Sequence, residues 1–324
     1  MPLELHFHTA LAAWLVEAIV SYPQPLYRRL GHPVTWFGAL LTMAEQRFNN
    51  AKAQPFARRI FGALVMLLLV IAGMVAAMAL DLMLTPSWIG KAALVALASS
   101  LLASRSLYKH VKDVSVALRA AGVEGGRVAV AHIVGRDVAE LDQAGVARAA
   151  IESLAENFSD GVVAPLIWLV ALGLPGMVAY KIVNTADSII GHRTARYADF
   201  GWCAARLDDV LNFVPARLSA LIYLILAWLR FGGHQAAHTW HIILRDAPQH
   251  RSPNGGWPEA AMAGALGFKL NGPRRYHGRL VDEPVTGDGN FALGANDIDA
   301  ALDFYRDGCV LLATAMALAA FLMS

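Results

Sequence analysis

The stretch FGALVMLLLVIAGMVAAMAL, Phe61 to Leu80, carries no charge over its whole length. A helix needs about 20 apolar residues to cross the hydrocarbon of a bilayer, and this one is long enough. The rest of the chain agrees. Of 324 residues, 56% are hydrophobic and only 16% charged, and the mean hydropathy is +0.45. A soluble globular chain carries more charge than that. The sequence therefore predicts an all-α, polytopic helical membrane protein.

Thr9 to Val20, Ser87 to Ala103, Gly161 to Tyr180, Leu218 to Leu229 and Val310 to Met323 are weaker candidate spans. Together with Phe61 to Leu80 they predict about five crossings, some of the short ones tilted or re-entrant. The N-terminal MPLELHFH has an acid and no Lys or Arg, so it reads as a first membrane segment and not a removed signal peptide. Arg28, Arg29, Arg47, Lys52, Arg58 and Arg59 follow it, against the single acid Glu45. The positive-inside rule places that connection in the cytoplasm. Leu174-Pro175-Gly176 interrupts the fourth candidate and predicts a helical hairpin that dips in and returns.

The chain reads as one domain, residues 1–324, with a polar helical segment over 104–160 expected on the cytoplasmic side. In that segment Leu107, Val111, Val114 and Leu118 fall on one helical face, and Gly122, Gly125, Gly126 and Gly135 are expected to break it into short helices. A net charge of +2 gives no nucleic-acid surface. Cys203 and Cys309 lie far apart, which excludes a disulfide framework and a cysteine zinc site.

Three polar clusters carry the candidate chemistry. In ESLAENFSDGVVAPL, Glu152 to Leu166, the acids Glu152, Glu156 and Asp160 recur every four residues beside an apolar segment. Like charges at that spacing repel on a helix. Basic partners or a divalent cation must compensate. Glu152 reads as a solvated helix end, whereas Glu156, Asn157 and Asp160 read as functional, because acids beside hydrocarbon are expensive.

The second cluster spans Tyr180 to Leu218. Lys181, Asn184, Asp187 and Ser188 share a helical face. Arg193, Arg196, Arg206 and Arg217 suit phosphate or carboxylate. Asp208 and Asp209, one turn before Asn212, suit Mg²⁺, although an ion pair of Arg206 with either acid is an equal reading. The third, His250 to Gly278, runs Ser252-Pro253-Asn254-Gly255-Gly256 into a helix that begins near Pro258 and Glu259. A glycine loop opening a helix is expected to present free N–H groups to an anion. Arg251, Arg274, Arg275 and His277 flank it. His234, His238 and His241 read as interfacial histidines.

Six blocks then resemble one family: HPVTWFG (His32 to Gly38), IVGRD (Ile133 to Asp137), ESLAENFSDGVVAPL, YKIVNTADSIIGHR, ARLDDVLNFVPARL and SPNGGWPEAAMAGALG. They look like the CobD/CbiB family of membrane adenosylcobinamide-phosphate synthases. The resemblance implies ATP-dependent ligation of adenosylcobyric acid to (R)-1-amino-2-propanol O-phosphate, or a related amino alcohol phosphate. It also implies ATP and Mg²⁺, the cell inner membrane, and as partners the bilayer, the corrinoid and the amino alcohol phosphate. A second copy of the chain or neighbouring enzymes of cobalamin biosynthesis are further expected partners.

Carried onto this sequence, the candidate catalytic residues are Glu156, Asn157, Asp160, Lys181, Asn184, Asp187, Asp208, Asp209 and Glu259. His32, Arg193, Arg196, Arg206, Arg217, Ser252, Asn254, Gly255 and Gly256 are candidates for substrate or phosphate, and Asp160, Asp208 and Asp209 for the metal. The sequence departs from the family pattern where Glu17 stands for the first acid and Ser21-Tyr22-Pro23 for a Gly-Asp-Pro, and at Phe158 and His192. A non-catalytic AmpE-like sensor and a transporter are the alternatives. A transporter would carry its polar residues inside the spans, whereas Phe61 to Leu80 has none.

Overall fold

A computed structural model describes residues 3–20, 22, 28–29, 31–192, 194–276 and 279–323. Arg193, His277, Gly278, Ser21 and Pro23, all singled out above, lie outside the described residues. The chain is helical almost throughout and groups into two compact units. Unit 1 holds residues 1–103, 164–212 and 319–324; unit 2 holds 104–163 and 213–318.

Unit 1 contains α1 (Leu3–Val20), α2 (Pro33–Phe48), α3 (Pro55–Leu84), α4 (Trp88–Ser99), α7 (Ala164–Ile190) and α8 (Trp202–Leu211). His32 starts α2. Its imidazole accepts from the Val34 N–H, Thr35 Oγ1 accepts from the His32 N–H, and Pro33 occupies a first-turn position where no N–H is needed. On α3, Val65 and Met66 are buried while Leu64, Leu67, Leu68, Ile71 and Val75 are exposed. An exposed face of that composition suits lipid, not water. The buried face packs on α7 and α8 around Leu41, Ile182, Val183, Ile190 and Phe200.

Among the described residues, four helical segments are long and apolar enough to cross a bilayer: Pro55–Leu84, Gln143–Ile190, Phe213–Phe231 and Ala295–Leu322. The candidate Ser87 to Ala103 yields only the 12 residues of α4, about 18 Å at 1.5 Å per residue. That is short of the roughly 30 Å of hydrocarbon, and α4 instead packs on α1 with Leu94 and Ala98 buried. The break expected at Leu174-Pro175-Gly176 is centred one residue earlier. Gly173 has φ +69° and ψ −161°, a conformation open to glycine alone. Pro175 thereby falls in the first turn of the next helical stretch, where its missing N–H costs nothing. The Val170 carbonyl beside the break receives His6 Nδ1 at 3.1 Å.

Unit 2 contains α5 (Ser104–Val130), α6 (Gln143–Phe158), a π turn (Ser159–Val163), α9 (Phe213–Phe231), α10 (Gly233–Asp246), α11 (Gly256–Leu266) and most of α12 (Ala295–Met323). Two short antiparallel pairs complete it: β1 (Leu270–Asn271) with β4 (Val285–Thr286), and β2 (Arg274–Tyr276) with β3 (Arg279–Val281). Leu107, Val111, Val114 and Leu118 are all buried as their spacing predicts. Of the glycines expected to break α5, only Gly122 does so (φ +62°); Gly125 and Gly126 are helical. An added Cβ at Gly126 would stand 2.4 Å from Leu118 Cδ2, so that glycine serves packing. Phe158 stacks on Tyr223 at 4.7 Å between ring centres and meets Tyr305 edge-on.

Gly62 is the tightest point on α3. An added Cβ would lie 1.9 Å from the Phe200 carbonyl oxygen, and a backbone atom cannot give way as a side-chain tip can. Gly62→Ala is expected to lower the melting temperature in detergent, at a stability cost of about 1–3 kcal/mol. Leu68→Ala on the exposed face is expected to leave it nearly unchanged. Thermal unfolding of the two purified variants checks this, and equal melting would refute the contact.

Candidate functional site

In unit 1, α7 and α8 bring polar side chains together around Asp208. Asn184 Nδ2 donates to its Oδ1 at 3.3 Å and Asn212 Nδ2 to its Oδ2 at 3.0 Å. Tyr180, fully buried, donates its hydroxyl to Asn212 Oδ1 at 3.0 Å. Lys181 Nζ donates to Asn184 Oδ1 at 3.4 Å. Burial, then the neighbouring Asp187 charge, pushes the Asp208 carboxyl up to about 7, against the two amides that favour its ionised form. Asp209 pairs with Arg206 at 3.0 Å, the ion-pair alternative of the sequence. His32 is held below its ordinary imidazole range by burial, and next by the Lys181 charge.

Arg196, expected at a phosphate, has a carboxylate of its own chain. Its Nε and Nη2 donate to Glu45 at 2.9 and 2.7 Å. That bond, more than any other cause, keeps the Glu45 carboxyl low despite its burial. Asn49 bridges Glu45 Oε1 and the Arg196 carbonyl, Arg58 donates to Asn49, and Arg59 pairs with Asp199 at 2.9 Å. These residues tie the 194–199 segment to the ends of α2 and α3.

Unit 2 corrects the reading of Glu152. It is no solvated helix end: it is 5% exposed. Arg136 meets it at 2.8 Å and Arg274 at 3.3 Å, and the Asn271 N–H donates to it at 2.6 Å. Arg274 also pairs with Glu283 at 2.9 Å. Asn271 adopts φ +60°, a left-handed conformation that asparagine tolerates better than most residues. From there its side chain donates to Glu259 Oε2 and Thr286 Oγ1 at 2.7 and 2.8 Å.

The glycine loop also differs from expectation. Ser252 Oγ accepts from the Asn254 and Gly255 N–H groups at 3.2 and 3.1 Å, so those two donors are engaged within the chain. Arg217 clamps the loop. Its guanidinium lies 3.6 Å from the Phe213 ring centre and 4.5 Å from that of Trp257, and it donates to Asn254 Oδ1 at 2.8 Å. Gly255 and Gly256 admit His250: a Cβ at Gly256 would lie 2.5 Å from the His250 Cβ. A Cβ at Gly255 would stand 3.4 Å from Glu156 Oε1, which places that half-buried carboxylate against the loop. Asn157 turns its amide back to the Ser153 carbonyl at 2.9 Å. Asp160 sits in the π turn, a feature frequent at functional sites.

The structure thus assembles Lys181, Asn184, Asp187, Asp208 and Asp209 in unit 1, and Glu156, Glu259, Ser252, Asn254, Gly255 and Gly256 in unit 2. Among the described residues, no three Asp, Glu, His or Cys side chains are placed to hold a metal. Tyr180, Arg136, Asn271 and Glu283 escaped the sequence reading. Their partners are remote, as with Asn271 and Glu152, 119 residues apart, and no local spacing reveals such pairs.

These features define a helical, multi-pass membrane protein with polar centres built from sequence-distant residues. The family described as CobD/Cbib protein matches residues 10–305. The chain is 48% identical to "Cobalamin biosynthesis protein CobD" of Rhodobacter capsulatus over 278 residues, covering 84% of this chain and 86% of the relative. Proteins of the same description from Sinorhizobium fredii and Rhizobium meliloti are 45% and 46% identical, covering 96% and 95% of both chains. The chain belongs to the CobD/CbiB family. No solved structure matches it significantly.

Glu259 gives a pH test of unit 2. Burial, reinforced by the Glu152 and Glu156 charges and opposed by His250 and Arg274, pushes its carboxyl from 4.5 up to about 7. The folded chain holds this proton where the unfolded chain has released it. Stability therefore declines as pH rises from about 4.5 through 7. Glu259→Gln keeps an acceptor for Asn271 without the charge. Its melting temperature is expected to exceed that of the parent by several degrees at pH 8 and to match it near pH 5. Parallel curves across that range would contradict the assignment.

Proposed function

We propose that this chain is a cobalamin-biosynthesis enzyme of the cytoplasmic membrane. It joins adenosylcobyric acid to (R)-1-amino-2-propanol O-phosphate, or a close amino alcohol phosphate, in an ATP-dependent amide ligation. The observation that carries the reading is the family match, which runs over residues 10–305 and includes both polar centres. The chemistry of those centres supports it. Carboxylates, amides and a buried lysine suit phosphates and a hard cation.

When bound, ATP supplies the phosphoryl group that turns a carboxylate into an acyl donor, and Mg²⁺ offsets phosphate charge. Asp208 and Asp209 are the residues that would hold Mg²⁺. Asp208 fits, because two amides fix both of its oxygens and its proton affinity is raised beside Asp187, a strain that a bound cation relieves. Within unit 2, Glu156 lies against the glycine loop and is the candidate carboxylate base of that centre. Arg217 would act at a distance, by holding Asn254 and the loop. Positioning and fixed charge supply the rate.

The test is the purified protein in detergent or nanodiscs with adenosylcobyric acid, aminopropanol phosphate, Mg²⁺ and ATP. Amide product with matching ATP consumption is expected. Asp208→Asn and Glu156→Gln are each expected to reduce turnover by about a hundredfold or more at equal protein level. Neither product nor ATP consumption in the parent would refute the ligase reading.

A further inference from the structure

Within unit 1 a cleft of about 340 Å³ opens between α2 and α7. Thr35 and Gly38 line one side; Lys181, Asn184, Ser188 and Ile189 line the other. At roughly 30 Å³ per water, it has space for about eleven water-sized groups, the small end of ligand pockets. A three-carbon phosphate monoester fits such a space; a corrinoid macrocycle does not.

The charge on its wall is specific. Lys181 is 8% exposed and belongs to a segment long enough to cross the bilayer. An ammonium carried there is costly and marks a ligand or ion path by default. Lys181 donates to Asn184 Oδ1, and Asn184 Nδ2 donates in turn to Asp208. The Lys181 charge also reaches His32 and lowers its proton affinity. The remaining lining is largely aliphatic. Gly38 keeps the cleft from closing: an added Cβ there would lie 3.2 Å from Ile189 Cδ1.

We propose that this cleft is the subsite for the short amino alcohol phosphate, with Lys181 Nζ binding the phosphate and the aliphatic lining taking the carbon chain. The identity of the ligand rests on the ligase reading; the placement of a small phosphate monoester in the cleft does not. Chain length is then limited by the cleft, and Ser188 at its exposed edge controls entry.

The experiment is calorimetric binding of (R)-1-amino-2-propanol O-phosphate to the full chain in phosphatidylcholine nanodiscs. The parent is compared with Lys181→Met, Lys181→Arg and Ser188→Trp, and unphosphorylated 1-amino-2-propanol serves as control. Lys181→Met is expected to weaken binding about tenfold or more, the value of one charge-assisted hydrogen bond. Lys181→Arg is expected to retain most of the affinity. Ser188→Trp, which leaves the lysine intact, is expected to weaken binding by obstruction, and all variants should keep the helical circular-dichroism spectrum of the parent.

Unaltered ester binding in both Lys181→Met and Ser188→Trp would overturn the assignment. So would equal affinity for the unphosphorylated alcohol, or no binding of the ester to the parent. A second arm uses phosphatidylglycerol nanodiscs. If that lipid abolishes ester binding and native mass spectrometry finds it retained by the parent but not by Lys181→Met, the phosphate recognised is a lipid headgroup and the assignment falls. A parent that binds the ester yet forms no amide refutes the ligase reading alone.

Discussion

A carboxylate withdrawn from water must be paired with a cation or keep its proton, and this chain uses both solutions. Glu152, Glu45 and Asp199 take guanidinium partners. Asp299 gathers Lys112 and Arg119 with the Ser115 hydroxyl. Asp208 and Glu259 instead receive side-chain amides and hold their protons more tightly than carboxylates in water do. The first group fastens loops and helix ends. Breaking such a buried pair by removing one partner leaves an uncompensated charge. The second group holds its protons toward neutral pH, the range in which proton transfer is useful.

That division sorts the arginines as well. Arginine suits phosphate and carboxylate equally, so residue type alone leaves its role open. Arg196 and Arg206 have carboxylates of the chain itself, Glu45 and Asp209. Arg217 lies between two aromatic rings and supports a loop. The cation on the wall of a small cleft is a lysine, Lys181, whose compact ammonium suits a single phosphate as a point charge.

The membrane class was legible because hydrocarbon imposes a length and a composition on any span, and Phe61 to Leu80 meets both. The polar clusters were legible because charge near such spans is expensive. Asn184 and Asp208 lie in one candidate cluster, and the structure brings them together. Four misreadings have physical causes. Ser87 to Ala103 looked like a span because hydropathy does not register where a helix ends. Glu152 looked solvated because its cations, Arg136 and Arg274, come from distant segments. The glycine loop looked open to an anion, yet Ser252 is a local competitor for the Asn254 and Gly255 N–H groups, two and three residues on. Gly126 was read as a breaker, whereas its role is the close approach of Leu118, a tertiary demand invisible in one helix.

The discontinuity of unit 1 has a consequence for biosynthesis. Arg59 and its partner Asp199 are separated by 140 positions, and a nearly equal interval divides the Gly62 groove from the Phe200 carbonyl that fills it. At roughly 5–20 residues per second, a ribosome needs on the order of ten seconds to bring the second half of that contact out. Throughout that time the basic end of α3 has no acid and its groove no occupant, while residues 104–163, which belong to the other unit, have already emerged. The nascent chain must therefore be held in a partly assembled state.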